Sequence, residues 1–482
     1  MLTDAQAHAA IEAKDRRYDG VFFTGVSSTG IYCRCICSAR TPKRENRRFF
    51  PSAAAAEGAG FRPCLLCRPE LAPGLSPLES KDRLAAAALR EIEAGALDER
   101  SLEGLARRLK VSDRHLRRAV LAVYGASPVA LAQTHRLLLA KRLLRDTDLS
   151  MTEVAFAAGF QSLRRFNALF QERYRMSPSR VRAQRGATAA TGDSIALRLT
   201  SRGAFDAEGA VAFLAARAIA GVETVTGSAY QRSLRLAEGA APSVVALTFD
   251  AGGVTLQCAP EPLGALRPLI ARVAQAFDLN TDIAAVDAHL AQDPLMAEEV
   301  RLEPGVRLTA GLDPFEIAVR AVIGQQISVA AARTMTGRLC AALGASLSPG
   351  LGVERAFPTP ESLAQARPET LTGLGLTGRR ALTLRALAEA ALDPTLFDPA
   401  DPEATQERLL ALPGIGPWTA SYIALRALGD HDAFPAGDVV LQTVTGLGEK
   451  DLTAAAEPWR PYRGYAVLRL WRRAARLKRS VP

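Results

Sequence analysis

Five of the chain's seven cysteines lie between Cys33 and Cys67, and they limit how the N-terminal part can fold more tightly than any other feature. Cys33 and Cys37 enclose three residues, and Cys64 and Cys67 enclose two. Two close pairs joined by a loop fold four thiolates around one tetrahedral zinc, each pair giving two ligands from a turn. An odd count of thiols clustered in this way does not read as a disulfide framework. Spacing alone leaves open whether such a zinc is purely structural, and whether Cys35 is a bystander or a competing ligand. Cys258 and Cys340 stand alone in apolar stretches and read as small buried hydrophobes.

The thiols have basic company: Arg34, Arg40, Lys43, Arg44, Arg47 and Arg48. Further along, the stretch from Arg100 to Arg185 holds 18 Lys and Arg against 6 Asp and Glu, a surplus of 12 that exceeds the +10 of the whole chain. A block of that kind points to a polyanion, most often nucleic acid. At 482 residues the chain exceeds the ceiling of about 250–300 residues for one core, so several domains are expected. Neither the opening "MLTDAQAHAAIEAKDRR" nor any later run has the apolar length of a signal peptide or a membrane span. A soluble cytoplasmic protein without a membrane partner is expected.

Two small or polar stretches, "ELAPGLSPLES" from Glu70 and "RGATAATGDS" from Arg185, read as boundaries. Between them apolar residues recur at helical spacing. "SLEGLARRLKVSDRHLRRAVLAVYGASP" reads as a helix, a tight turn at Val111 and a second helix capped by Ser112. "SMTEVAFAAGFQSLRRFNALFQERYRMSP" repeats the pattern, with Ser150 and Glu153 at capping-box spacing, Gly159 at the turn and Ser162 as the next cap. Two helix-turn-helix units joined by a long helix near Pro128–Leu144 can read successive major grooves. After the second boundary, short alternating runs such as "SIALRLTS" and "VVALTFD" read as strands, and from about Leu302 the pattern is helical again. There "LPGIGPWTASYIALRALG" has the two glycines, Gly414 and Gly416, of a helix-hairpin-helix turn. Its amides can take a phosphate and its carbonyls a monovalent cation.

Three family resemblances follow from these motifs. "FFTGVSSTGIYCRCICSAR", "REN" and "FRPCLLCRPE" resemble the N-terminal zinc domain of the Ada-type adaptive-response proteins. The resemblance implies one zinc held by Cys33, Cys37, Cys64 and Cys67. It also implies irreversible methyl transfer from a DNA methyl phosphotriester to Cys33, with Arg34, Arg44 and Arg47 on a DNA-facing surface. The basic block resembles the AraC-type DNA-binding domain, which puts Asp113, Arg114, Arg117, Ser162, Leu163, Arg164, Arg165 and Asn167 on two recognition helices. It implies an activator that works with promoter DNA and RNA polymerase.

The C-terminal half, with "GLDPFEIAVRAVIGQQISV", "AFPAGDVVLQ" and "WRPYRGYAVLRLWR", resembles the AlkA type of DNA-3-methyladenine glycosylase II in the helix-hairpin-helix superfamily. By that resemblance Asp438 is the catalytic carboxylate, and Trp418, Tyr422 and Trp471 line a pocket for a flipped base. Gln326 takes the place of a duplex wedge that is apolar in the family pattern. Relatives that also cut the strand carry a lysine where this chain has Trp418, and no lysine occurs between Arg142 and Glu449. A monofunctional enzyme is expected. A "PCHR" cysteine of the O6-methylguanine type does not occur in the sequence, and that repair is not expected.

The expected fold class is multidomain and mainly α with α+β parts. It comprises a small four-cysteine zinc domain (1–75), a tandem helix-turn-helix domain (78–186), a small antiparallel β/α domain (194–300) and an all-α helix-hairpin-helix domain (301–482), in a monomer. Taken singly, Asp438 also fits a plain helix cap and the tryptophans plain core. A competing reading makes the chain chiefly a methylation-activated transcription factor with a non-catalytic C-terminal half.

Overall fold

The computed structural model describes residues 2–74, 83–184, 194–237, 239–259, 262–347, 352–399 and 401–479. Of the two anticipated boundaries, Glu70–Ser80 and Arg185–Ser194, residues 75–80 and 185–193 lie outside the described residues. The chain is multidomain and mainly helical. It divides into two compact units, 1–203 with 253–274 and 279–282, and 204–252 with 275–278 and 283–482. The strand-rich stretch expected as one domain at 194–300 is thus shared between the units.

In the first unit a four-stranded sheet forms from β1 (Phe23–Val26), β2 (Ile31–Cys33), β3 (Arg47–Phe50) and β4 (Arg62–Pro63), in the order β3-β1-β2-β4. Among the described residues one small core cluster holds Phe23, Tyr32, Phe50, Phe61 and two alanines, and another packs Phe22 and Phe49 with the first helix. Gly25 is obligatory in β1 because a Cβ there would lie 2.8 Å from the Phe50 ring and 2.9 Å from Phe61. So small a core holds a fold weakly without a staple, which the thiol cluster is placed to provide.

The helical part of this unit follows its capping residues. Ser101, Ser112, Ser127, Ser150, Ser162 and Ser177 each accept an amide hydrogen bond at a helix start. Ser150 and Glu153 form the reciprocal capping box, with Glu153 Oε2 2.6 Å from the Ser150 amide. The first turn places Lys110 in the left-handed region at φ 56°, where the second turn has Gly159 at 89°. A connecting helix, Pro128–Asp146, joins the two halves. β5 (Ile195–Thr200), in this unit, pairs antiparallel with a strand at Gly253–Cys258.

Glu57 ties the small sheet to the connecting helix. Tyr32 donates to its Oε1 at 3.0 Å and Thr134 to its Oε2 at 2.8 Å, both bonds being buried. Burial raises the Glu57 pKa from 4.5 to about 7. Between those values the folded chain keeps a proton that the unfolded chain has released. The contribution to stability is therefore full below pH 4.5 and lost as the pH rises through 7. The span corresponds to about 3 kcal/mol. Glu57→Gln is expected to flatten this part of the pH dependence, read from denaturant midpoints between about pH 5 and 8.

In the second unit β6 (Glu223–Thr226), β7 (Ala229–Leu234) and β8 (Ser243–Asp250) form an antiparallel meander. A buried ion network pins this sheet to the helix Pro314–Ile323. Arg232 meets Glu316 at 2.5 Å, and Arg320 meets Glu316 at 2.9 Å and Glu223 at 3.2 Å. Glu316→Gln leaves two guanidiniums short of a counter-charge in a dry site. It is expected to lower unfolding stability by about 3–5 kcal/mol, measurable by chemical denaturation. Among the described residues, two apolar clusters pack its helical part. One packs Val319, Val322, Leu384, Leu387 and Ile423, and the other Met296, Leu441, Trp459, Tyr465 and Leu470.

Candidate functional sites

The thiol cluster is assembled by strand register. β2 and β4 run parallel with Tyr32 opposite Pro63, and the Cys64 amide donates to the Tyr32 carbonyl at 3.0 Å. The next residues, Cys33 and Cys64, are thereby brought side by side. The turns after each strand return Cys37 and Cys67, and all four sulfurs lie within 4.8 Å of one another. Zinc–sulfur bonds of about 2.3 Å in a tetrahedron require sulfurs about 3.8 Å apart, so the cluster needs only slight contraction to hold the ion. One amide donates to a sulfur of the cluster, that of Arg34 to Cys67 Sγ at 3.4 Å. Cys35 points elsewhere, into a cluster with Ala7, Ala10, Ile11 and Phe22, and its thiol donates to the Asp15 carbonyl.

Two of the arginines expected to face DNA do not. Arg34 is buried, with Nε 2.8 Å from Asp19 Oδ1 and a second bond from Nη2 to Oδ2. Arg47 has a side chain 5% exposed, held by the Pro42 carbonyl at 2.9 Å and His8 Nδ1 at 3.0 Å. Buried Asp19 holds the first guanidinium and partly buried acceptors hold the second, which removes both from the surface. Arg40, Lys43, Arg44 and Arg48 are exposed. Arg44 pairs with Glu12 at 2.9 Å, an exposed contact weak enough to exchange for a phosphate.

Arg114 and Arg117 lie on the helix Asp113–Tyr124, and Arg164, Arg165 and Asn167 on Leu163–Tyr174; all five are exposed. Of the other residues expected there, Asp113 is half-buried and lies 3.6 Å from Arg117, Ser162 caps its helix and Leu163 is half-buried.

In the second unit, Asp438 neighbours Trp471, which packs against the second core, and Tyr422 beside it packs against the first. Asp438 starts the helix Val439–Thr445 and accepts the Leu441 amide at 3.0 Å, so the plain capping role is real. Capping occupies only part of its carboxylate. Trp418 Nε1 donates to Oδ2 at 2.8 Å and Trp471 Nε1 to Oδ1 at 3.2 Å, although Asp438 is only 6% exposed. Tyr422 completes the group, stacked on Trp418 with centroids 5.2 Å apart and tilted against Trp471 at 6.0 Å. The third tryptophan, Trp459, is fully buried core.

The hairpin enters the helix Pro417–Ile423, with Gly416 as its N-cap. Gly414 has φ 83°, and a Cβ there would sit 2.1 Å from Thr383 Oγ1, so only glycine fits. At Gly416 a Cβ would meet nothing within 4 Å, which leaves open space at the helix start. Gln326 is exposed in a left-handed turn at φ 54°. Its neighbour Gln325, which sequence reasoning missed, donates to the Gly414 carbonyl and to Thr419 Oγ1, both at 3.0 Å. Phe213 and Arg426 were also missed. The Arg426 guanidinium lies 4.4 Å from the Phe213 ring centroid and 5.2 Å from that of Trp471. A cavity of about 60 Å³ opens beside them and Tyr422. No signal in the local sequence separates Phe213 from any other apolar helix residue.

Comparison with known proteins agrees with this layout. Four family models match: the metal binding domain of Ada at 6–70, a helix-turn-helix domain at 105–184, the AlkA N-terminal domain at 196–313, and the HhH-GPD superfamily of base excision DNA repair proteins at 319–447. Cys33, Cys37, Cys64 and Cys67 are accordingly a zinc site. The DNA-3-methyladenine glycosylase 2 of Escherichia coli is 38% identical over 264 residues, covering 54% of this chain and 90% of the relative. A solved 3-methyladenine DNA-glycosylase from Archaeoglobus fulgidus shares the fold of the C-terminal half at a TM-score of 0.52 and 20% identity, covering 59% of this chain and all of that one. A probable bifunctional transcriptional activator/DNA repair enzyme AlkA of Mycobacterium tuberculosis is 40% identical over 479 residues, covering 97% of this chain and 95% of its own. Identity at that level along nearly the whole of both sequences means that this chain belongs to the family of bifunctional transcriptional activator/DNA repair enzymes.

Proposed function

We propose that the chain repairs alkylated DNA and reports the damage. In this reading it is a monofunctional glycosylase that hydrolyses the N-glycosidic bond of alkylated bases such as 3-methyladenine. It also takes a methyl group from a methyl phosphotriester onto Cys33 and then activates transcription. The division of labour follows the four parts expected from the sequence. Its setting would be the bacterial cytoplasm, as a monomer on duplex DNA with RNA polymerase as partner.

One observation carries the glycosylase reading: two indole N–H groups and a backbone amide converge on the nearly buried carboxylate of Asp438. An alkylated purine is cationic, and the faces of Trp418, Tyr422 and Trp471 are electron-rich surfaces that attract it. As the base leaves, the C1′–N9 bond breaks with its electron pair passing to the base, which departs neutral. Asp438 stabilises the positive charge that grows on the sugar. Water oriented by the same carboxylate adds at C1′ and releases one proton. With Trp418 where a strand-cutting relative has lysine, no Schiff base forms and the product is an abasic site. The Gly414–Gly416 turn would hold a backbone phosphate and a monovalent cation, with Gln326 reaching toward the duplex.

For the methyl acceptor, bound zinc keeps the four sulfurs as thiolates and gives the site two net negative charges. Cys33 Sγ forms a bond to the methyl carbon while the methyl–oxygen bond breaks, and the electron pair leaves on a phosphate oxygen as a phosphodiester anion. Cys33 as the acceptor rests on its match to the Ada zinc domain, and the Arg34 amide at 3.4 Å from Cys67 makes that sulfur the poorer nucleophile. The transfer removes one negative charge beside the exposed Arg40, Lys43, Arg44 and Arg48, so affinity for DNA should rise. Incubation with methylated duplex DNA tests the proposal: free 3-methyladenine should appear with an unbroken strand, and absence of both free base and S-methylcysteine would refute it.

A further inference from the structure

One face of the connecting helix touches the second cysteine pair directly and reaches the strand before the first through Glu57. Thr134, Lys141 and Arg145 are spaced by seven and four residues and so share that face. Thr134 reaches the first pair through Glu57 to Tyr32, the residue before Cys33, with bonds of 2.8 and 3.0 Å. Lys141, whose side chain is fully buried, donates to the Cys64 carbonyl at 3.1 Å and pairs with Glu70 at 2.6 Å. Arg145 donates to the Leu65 carbonyl at 2.7 Å. Arg68, one residue beyond Cys67, is held by Asp146 at 2.7 Å and Glu70 at 3.0 Å. The loop that carries Cys64 and Cys67 is thus bound to the helix mainly by charged hydrogen bonds. The helix in turn joins the segments bearing Arg114 and Arg117 to those bearing Arg164, Arg165 and Asn167.

A buried lysine is a poor choice for packing alone, since an apolar side chain of its size avoids desolvating a charge. It suits a different task, because charges separated by low-dielectric protein interact strongly. We infer that the Thr134–Lys141–Arg145 face of the connecting helix relays the charge state of the thiol cluster to the two recognition helices. This inference rests on Cys33 being the methyl acceptor. Before transfer, Lys141 and Arg145 face a ligand loop carrying two net negative charges. Loss of one charge weakens their hold, and the helix between the recognition helices loosens. The resulting change in DNA binding adds to the weaker repulsion of phosphates and, unlike it, is insensitive to salt.

The test is hydrogen–deuterium exchange on the full zinc-loaded chain before and after reaction with DNA carrying methyl phosphotriesters, with the methyl on Cys33 verified by mass spectrometry. Amides of 128–146 are expected to exchange faster after transfer. In Lys141→Met they should exchange fast beforehand and not respond. That variant should still take the methyl, but its affinity gain for a mixed-sequence duplex should lose the part that persists at high salt. Thr134→Val, a mild change at the other tie, should reduce the same salt-resistant part, and zinc content checks that both variants keep the site. Equal exchange before and after transfer in the wild-type chain overturns the relay while leaving the methyl acceptor standing. No methyl on Cys33 overturns both.

Discussion

Asp438→Asn is expected to lower base release by at least about 10²–10³-fold, the usual cost of removing one aligned electrostatic stabiliser. Asn preserves the helix cap, being as good there as Asp, so the Leu441 amide keeps its acceptor. The other two bonds cannot both survive. With its oxygen toward Leu441 and Trp471, the Asn amide group points its N–H atoms at the Trp418 N–H, donor against donor. That mismatch costs about 1–3 kcal/mol of stability, and the charge that would face the sugar is gone. Affinity for undamaged duplex should change little, because the Gly414–Gly416 turn stands on separate backbone contacts. Timed chromatography of free 3-methyladenine, with a parallel binding assay, reads both effects.

Cys33→Ser is expected to abolish methyl uptake entirely while leaving base release intact, since Cys33 and Asp438 belong to different units. Serine at neutral pH supplies no thiolate to attack a soft methyl carbon. The rise in DNA affinity after exposure to methyl phosphotriesters should vanish with it. Cys64→Ser makes the informative contrast. Cys64 is buried at the β4 end, so its loss should release zinc and destabilise the small sheet, whose aromatic core is too slight to hold alone. Metal content and a melting curve for each variant separate the reacting sulfur from a purely structural one.

Much of the architecture is legible in the sequence because it rests on local chemistry. Ser112, Ser150 with Glu153, and Ser162 announce helix starts through bonds within four residues, and the two cysteine pairs announce a metal by spacing. The arginines are less legible, for a reason that lies in distance along the chain. Nothing near Arg34 reveals that Asp19 waits under it, and nothing near Arg47 reveals His8. A run of charge therefore looked like one surface when two of its members are buried. Gln325 and Phe213 were invisible for the same reason, since their partners Gly414 and Arg426 are 89 and 213 residues away in sequence. Asp438 shows a different case: the cap read from the sequence is present, and the convergence of Trp418 and Trp471 on the same carboxylate comes from residues 20 and 33 positions away.

The central claim is that one chain carries two independent centres for alkylated DNA. The most direct measurement is to incubate the intact chain, Asp438→Asn and Cys33→Ser with DNA bearing both methylated bases and methyl phosphotriesters, and to quantify free 3-methyladenine and S-methylcysteine in the same tube. Both products are expected from the intact chain, only S-methylcysteine from Asp438→Asn and only free base from Cys33→Ser. Binding of DNA by the intact chain without release of base would contradict it and leave a regulator whose C-terminal half does no chemistry.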